Sequence, residues 1–359
     1  MTRHENPPRA AFAIAGREIG DGHAPYVIAE VSGNHNKDLS KALKMIEVAA
    51  DCGADAVKFQ TYTADSLTLP SVKPDFQITT GTWAGWNLHQ LYQEAATPYD
   101  WFPALFDHGR ALGITVFSSP FDNDAVDLLE GLEAPAYKIA SNEFTDWPLI
   151  RRTVQTGKPV ILSTGTATLE EIDVTVAFLE REGITEFALL HCVSAYPAPI
   201  DSARMRNITA LRERFPVPIG FSDHTLDITA PIVATSLGAS IIEKHFVLDR
   251  SEGGPDSSFA IEPEELRRLC ETVRDAHTAL GGPQFGMKGA ETKSPIYRRH
   301  FYATRDIAAG EEISAENVKA IRARKGIAAR DFERLFGAKV SVDIPAHEPV
   351  TWEAIDECE

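Results

Sequence analysis

Three lysines, Lys58 in AVKFQT, Lys138 in AYKIAS and Lys244 in IIEKHF, stand inside apolar runs that read as buried strands. An unpaired ammonium is costly to bury, so each must meet a neighbouring carboxylate or hold an anion. Lys58 and Lys138 together, with the hydroxyls of Ser163 and Ser222 in neighbouring runs, point to a phosphate or carboxylate ligand. A buried lysine can also form a Schiff base, which keeps a pyruvate aldolase open. His224 and His245 close two later runs, SDHT and EKHF. Neutral imidazoles at adjoining strand ends can share one divalent ion, with water and substrate in the other positions. Two nitrogens alone fit an open Mn²⁺ or Mg²⁺ site better than a closed zinc site. Glu143, Tyr196 and Asp256 can orient a polyhydroxylated substrate by hydrogen bonds, although a solvated loop carboxylate is the plain alternative for Asp256. Trp83 and Trp86 either pack a loop or offer a stacking face for a sugar.

Eight short apolar runs must position these groups: Tyr26–Val31, Ala56–Tyr62, Thr115–Pro120, Ala136–Ser141, Pro159–Gly165, Phe187–Val193, Pro218–Thr225 and Ile241–Leu248. Helical patterns alternate with them. In Leu39–Asp51 the positions Leu39, Ala42, Leu43, Ile46, Ala49 and Ala50 form one apolar stripe, and Gly53 follows as a stop. Eight β/α units are the closing number of a TIM (β/α)8 barrel. The competing open doubly wound sheet would carry GxGxxG after its first strand, and none is present. In a TIM barrel reactive groups lie at the C-terminal strand ends, and polar residues recur at every one of these ends. The connection from Thr63 to Pro98 is much longer than the others and reads as a lid or binding loop. The barrel is expected over residues 1–285, a Gly-rich linker over 286–295, and a small second domain over 296–359.

The 359 residues are 43% hydrophobic and 24% charged, an ordinary globular composition. A formal net charge of −17 supplies no basic footprint for a duplex, so nucleic acid is not expected as a partner. Cys52, Cys192, Cys270 and Cys358 are widely spaced, which argues against a disulfide scaffold or a zinc knuckle. The apolar run at residues 10–15 is too short for a signal peptide, and no 18-residue apolar stretch follows. The expectation is a soluble cytoplasmic protein with no membrane partner.

The motifs AEVSGNHN, GADAVKFQTYTAD, FSSPFD, YKIASNE, STGTAT, LLHCVSAYPAP, GFSDHT and EKHFVLDRSEGGPD, with the tail RRHFYATRDIAAGEEISAENVKAIRARKGI, resemble the sialic acid synthase family along nearly the whole chain. That resemblance implies a TIM barrel followed by a small C-terminal antifreeze-like (SAF) domain. It implies condensation of phosphoenolpyruvate with an N-acylated amino sugar, a transferase reaction with C–O cleavage. Phosphoenolpyruvate contacts would fall to Lys58, Lys138, Ser141, Ser163 and Ser222, and metal ligation to His224 and His245. Sugar contacts would come from Glu143, Tyr196 and Asp256. Arg322 would reach the sugar's acyl group in the partner of a domain-swapped homodimer. Within the family, AEVSGNHN, QTYTAD and GTWAGWNLHQLYQEAATP look most like the pseudaminic acid synthases, whose acceptor is 2,4-diacetamido-2,4,6-trideoxy-L-altrose. N-acetylneuraminate and legionaminate synthases are the alternatives within the family. Asn36 stands where the sialic acid enzymes often carry Glu, which makes that sugar contact neutral here. Ala323-Arg324 replaces the Pro-Gly pair that often follows the arginine.

Overall fold

The computed structural model describes residues 11–293 and 297–356; Cys358 and residues 294–295 of the expected linker lie outside them. The chain divides into two compact units, Met1–Gly281 and Gly282–Glu359.

In the first unit a hairpin of β1 (Phe12–Ile14) and β2 (Arg17–Ile19) precedes eight parallel strands. These are β3 (Tyr26–Glu30), β4 (Ala56–Thr61), β5 (Thr115–Pro120), β6 (Tyr137–Ile139), β7 (Val160–Ser163), β8 (Phe187–Cys192), β9 (Ile219–Asp223) and β10 (Ile241–His245). They close as a barrel, with β10 pairing both β9 and β3. The expected TIM barrel is present and the open doubly wound sheet is not.

Because strand side chains alternate with period two, each strand divides its residues between the barrel interior and the helix layer. Tyr26, Ile28, Ala56, Phe117, Ala136, Ile161, Ala188, Leu190 and Ile241 pack together with Phe12, Ile14 and Ile19 of the hairpin, so the lower interior is a filled apolar plug. Val27, Val57, Tyr137, Leu162, Phe221 and Ile242 belong instead to the core shared with the surrounding helices. The alternation then fixes what stands above the plug. Glu30, Lys58, Lys138, Ser163, Ser222 and Glu243 share the inward parity of the plug residues. Asp223 and Lys244 share the outward parity of Phe221 and Ile242.

The stripe in Leu39–Asp51 forms a helix over those same residues, capped by the Asp38 carboxylate on the Ser40 and Lys41 amides. The connection at residues 63–98 contains more structure than its pattern implies: short helices at Ala64–Leu67 and Leu88–Ala95, the second capped by Asn87. Only Leu91 and Ala95 of that second helix are buried, too few to print a clear periodicity.

The second unit pairs β11 (Arg298–Ala303) with β12 (Val318–Ala323) in antiparallel register. Its own core gathers Phe301, Ile307, Ile313, Val318, Leu335, Val340 and Val350, joined by isolated bridges such as Ile307 with Ile344. Arg322 lies exposed on β12, directly across from Arg299.

Candidate active site

At the C-terminal end of the barrel the inward residues form a buried ionic cluster. Lys58 Nζ lies 2.6 Å from Glu30 Oε2 and 3.8 Å from Glu243 Oε1, and Lys138 Nζ lies 3.1 Å from the same Glu243 oxygen. Lys58 also donates to Ser119 Oγ at 3.2 Å, and Ser222 Oγ donates to Glu243 Oε1 at 3.1 Å. Gln60 donates to Glu30 Oε1 at 2.8 Å and to Ser32 Oγ at 3.0 Å. Burial pushes Glu30 above the usual carboxylate range against the pull of Lys58. Burial works on Glu243 in the same sense, but Lys138 and Lys58 outweigh it and hold Glu243 below that range. Burial likewise draws Lys138 below the usual lysine range, so the cluster sets two lysines against two carboxylates with Glu243 shared between the lysines. Two lysines buried beneath an opening can turn toward an incoming anion, which would supply the countercharge each needs.

Lys244 answers the other expectation for a strand lysine. Facing the helix layer, it pairs with Asp223 at 2.5 Å with both side chains fully buried.

Above the cluster lies a cavity of 370 Å³, bordered on its polar side by Ser32, Gln60, Glu143, Tyr196, His245 and Asp256. Its other wall is apolar and comes largely from the long connection, through Leu67, Ile78, Trp83, Leu88 and Leu91. Two hydrogen bonds pin that connection across the barrel mouth: Thr82 Oγ1 donates to the Tyr196 carbonyl, and Trp83 Nε1 donates to the Pro255 carbonyl at 2.7 Å. The Trp83 ring stands 5.2 Å from that of Tyr196.

The imidazoles of His224 and His245 face each other with centroids 5.3 Å apart, and the Tyr196 ring lies 4.3 Å from that of His224. His224 Nδ1 lies 2.9 Å from the Val193 carbonyl, which can only accept. Nδ1 thus carries a proton, which leaves Nε2 as the nitrogen a metal would use. His245 Nδ1 is buried with no hydrogen-bond partner. Burial first, and then the neighbouring His224 and lysines, hold His245 well below the usual histidine range. Against burial, the Cys192 sulfur and the Val193 carbonyl hold His224 above the usual histidine range. Adjacent to each other, with a His245 ring nitrogen left without a partner, these two side chains fit a shared divalent ion, whose binding would displace any proton on His224. Among the described residues no cluster of three or more His, Cys, Asp or Glu side chains is placed to enclose one.

Ser141 Oγ accepts the Gly165 amide at 3.1 Å, and Ser163 Oγ is buried without a hydrogen-bond partner. Gly165 is required by close approach: a Cβ there would fall 2.4 Å from Ser194 Oγ and 2.7 Å from Ser141 Oγ. We expect Gly165→Ala to cost about 1–3 kcal/mol by overpacking, read as a lowered midpoint in calorimetry; an unchanged midpoint would show that the serines simply turn aside. Asp256 accepts from Ser32 Oγ, and burial raises its carboxyl above the usual range.

Ten of the expected site residues thus gather at one end of the barrel: Lys58, Lys138, Ser141, Glu143, Ser163, Tyr196, Ser222, His224, His245 and Asp256. Asn36 borders an adjoining cavity of 500 Å³ rather than the central one, with its amide on the Gly253 carbonyl at 3.0 Å. Trp83 and Pro255 border both cavities. Arg322 belongs to the second unit. Glu30 was not singled out by sequence reasoning, and Gln60, Ser119 and Glu243 counted only among the polar residues at strand ends, without a role. Strand parity was the signal, since each stands an even number of residues from a plug position.

Residues 45–284 match the NeuB family, and residues 298–356 match the SAF domain. The chain belongs to the NeuB family. Pseudaminic acid synthase of Campylobacter jejuni is 41% identical over 89% of this chain and 93% of its own length. N,N'-diacetyllegionaminic acid synthase of the same species is 36% identical over 87% and 94%. Among solved structures, N-acetylneuraminic acid synthetase from Leptospira borgpetersenii superposes with a TM-score of 0.72 at 31% identity, over 79% of this NeuB member and 95% of that chain. The SAF match accords with the antifreeze-like second unit expected from the tail motif. Among the described residues no helix is long and apolar enough to cross a membrane.

Proposed function

We propose that this NeuB member is a pseudaminic acid synthase, condensing phosphoenolpyruvate with 2,4-diacetamido-2,4,6-trideoxy-L-altrose to form a nine-carbon nonulosonic acid and phosphate. The observation that carries the reading is the buried Lys58–Lys138 pair sharing Glu243 beneath a cavity bordered by His245. The likeness to pseudaminic acid synthases supports the choice of acceptor. So does the apolar wall from residues 67–91, which suits the methyl groups of a deoxy, diacetylated sugar better than a chain of hydroxyls.

In this reading Lys58, Lys138 and the hydroxyls of Ser163 and Ser222 bind the phosphate and carboxylate of phosphoenolpyruvate. Carbon 3 of the enol attacks the acceptor's open-chain aldehyde, forming the new C–C bond. Positive charge develops at C2 and water adds there, and the tetrahedral intermediate releases phosphate by breaking its C–O bond. Both lysines stabilise the departing dianion at no cost in reorganisation, because the barrel already holds them. Tyr196 and Asp256 orient the sugar, and the aromatic walls exclude bulk water. A divalent ion held by His224 and His245, Mn²⁺ or Mg²⁺, would act as a Lewis acid toward the aldehyde oxygen.

Glu143 is placed to move a proton. It borders the cavity, Oε2 has no hydrogen-bond partner, and burial pushes its carboxyl up to about 7. Folded protein then retains a proton that unfolded chain releases, so this group's contribution to stability falls as pH rises from the usual carboxylate range toward 7. Glu143→Gln should flatten the limb of the pH–rate profile near neutrality. It should also melt increasingly above wild type as pH is raised through that window; a constant difference would contradict a buried, raised carboxyl.

The competing aldolase is separated by its chemistry. Borohydride treatment with pyruvate should label no lysine, and phosphoenolpyruvate carrying ¹⁸O in its bridging position should deliver that ¹⁸O to phosphate. A trapped lysine, or phosphate free of the label, would overturn the synthase.

A further inference from the structure

Asp223 and Lys244 are opposite each other in the β9–β10 register, each immediately before a candidate metal ligand in sequence. Their side chains face away from the cavity and are fully buried. A buried ion pair is weak grounds for stability, since apolar residues of similar volume usually serve as well. Phe221 and Ile242, one turn of the pleat below, fill the same layer without charge. The reason for charge at this level lies in what the pair holds. Lys244 Nζ donates to Asp223 Oδ2 and to the Thr225 carbonyl, each at 2.5 Å. Asp223 Oδ1 accepts the Thr225 amide at 2.8 Å. Both backbone groups of the residue after His224 are therefore clamped by charged partners.

His224 itself is fixed from two further directions, through Nδ1 on the Val193 carbonyl and through its own carbonyl, which accepts the Ala198 amide at 2.8 Å. His245, following Lys244, has its carbonyl held by the Ile261 amide at 2.8 Å. The ladder with β10 ends at Asp223 and Lys244, so beyond it the path of the chain rests on such single bonds. A displacement there would move the His224 ring relative to His245.

We infer that the Asp223–Lys244 pair is a positioning device that sets the spacing of the His224 and His245 imidazoles for the divalent ion they share. This rests on the metal reading above. Partners one step removed from a metal ligand commonly carry about 10–100-fold in metal affinity, and here one ion pair reaches both ligand-bearing strands.

The test is Mn²⁺ affinity of the full-length protein, measured by equilibrium dialysis, beside phosphoenolpyruvate affinity measured by calorimetry. D223N/K244M removes the charges and the bond to the Thr225 carbonyl; D223N/K244Q removes the charges and keeps amide groups within reach of it. The Mn²⁺ Kd should rise from wild type to D223N/K244Q to D223N/K244M, by about 10–100-fold in the last, with phosphoenolpyruvate affinity unchanged in both. A folded variant of either kind that binds Mn²⁺ as tightly as wild type overturns the inference, and the glutamine variant alone decides it if the methionine variant does not fold. Wild type that binds no Mn²⁺, or binding that survives His224→Ala, fails the metal reading itself and takes this inference with it.

Discussion

His245→Ala should abolish turnover while leaving phosphoenolpyruvate binding intact. His245 borders the cavity, and its Nδ1 is buried without a partner, so truncation removes a ligand and breaks no hydrogen bond of the fold. Losing several kcal/mol of Lewis-acid stabilisation corresponds to a fall of about 10³-fold or more in kcat. Lys58 and Lys138, the proposed anion ligands, sit lower in the barrel and are paired with Glu30 and Glu243, not with either histidine. Calorimetry with phosphoenolpyruvate should thus return the wild-type affinity. His224→Ala should behave alike, with some added destabilisation because the Val193 carbonyl loses its donor. Full activity in both variants would remove the metal assignment.

The second large effect is expected at Lys138. Lys138 and Lys58 together hold Glu243 below the usual carboxylate range, and Lys138→Met removes one of the two lysines that face it. One preorganised cation aimed at a developing dianion is worth about 10²–10³ in kcat, and phosphoenolpyruvate affinity should fall with it. Glu243 keeps Lys58 and the Ser222 hydroxyl, so the variant is expected to fold. Arginine should not restore activity, because a forked guanidinium does not reproduce a compact ammonium at a fully buried position. Wild-type kinetics in Lys138→Met would show that the lysine serves only as a counter-ion to Glu243.

Much of this was legible in the sequence, because a parallel barrel prints its strands as separate apolar runs and its helices as stripes. Helix Leu39–Asp51 matches the expected residues at both ends, since an Asp38 cap and Gly53 bound it. The two histidines and the lysines were visible as polar breaks in apolar runs. What the sequence obscured were pairings across strands. Glu30 is separated from Lys58 by a whole helix in the chain, yet meets it at 2.6 Å through the β3–β4 register. Lys244 and Lys138 look alike as strand lysines, and only the parity of their neighbours sends one to the helix layer and the other to the site. The segment at 63–98 was hardest to read, because its order comes from single bonds such as Trp83 to Pro255 and not from a repeating face. Asn36 illustrates the limit from the other side: its position near the site was anticipated, but its amide turns to the Gly253 carbonyl and borders the outer cavity.

The identity of the acceptor is the centre of the account, and one assay addresses it. Phosphate release from phosphoenolpyruvate is to be followed with Mn²⁺ present and one sugar at a time: 2,4-diacetamido-2,4,6-trideoxy-L-altrose, N-acetylmannosamine and the legionaminate precursor. Release with the altrose derivative alone is the predicted result. Faster release with either of the other sugars would contradict it, moving the acceptor assignment while leaving the lysine and histidine chemistry in place.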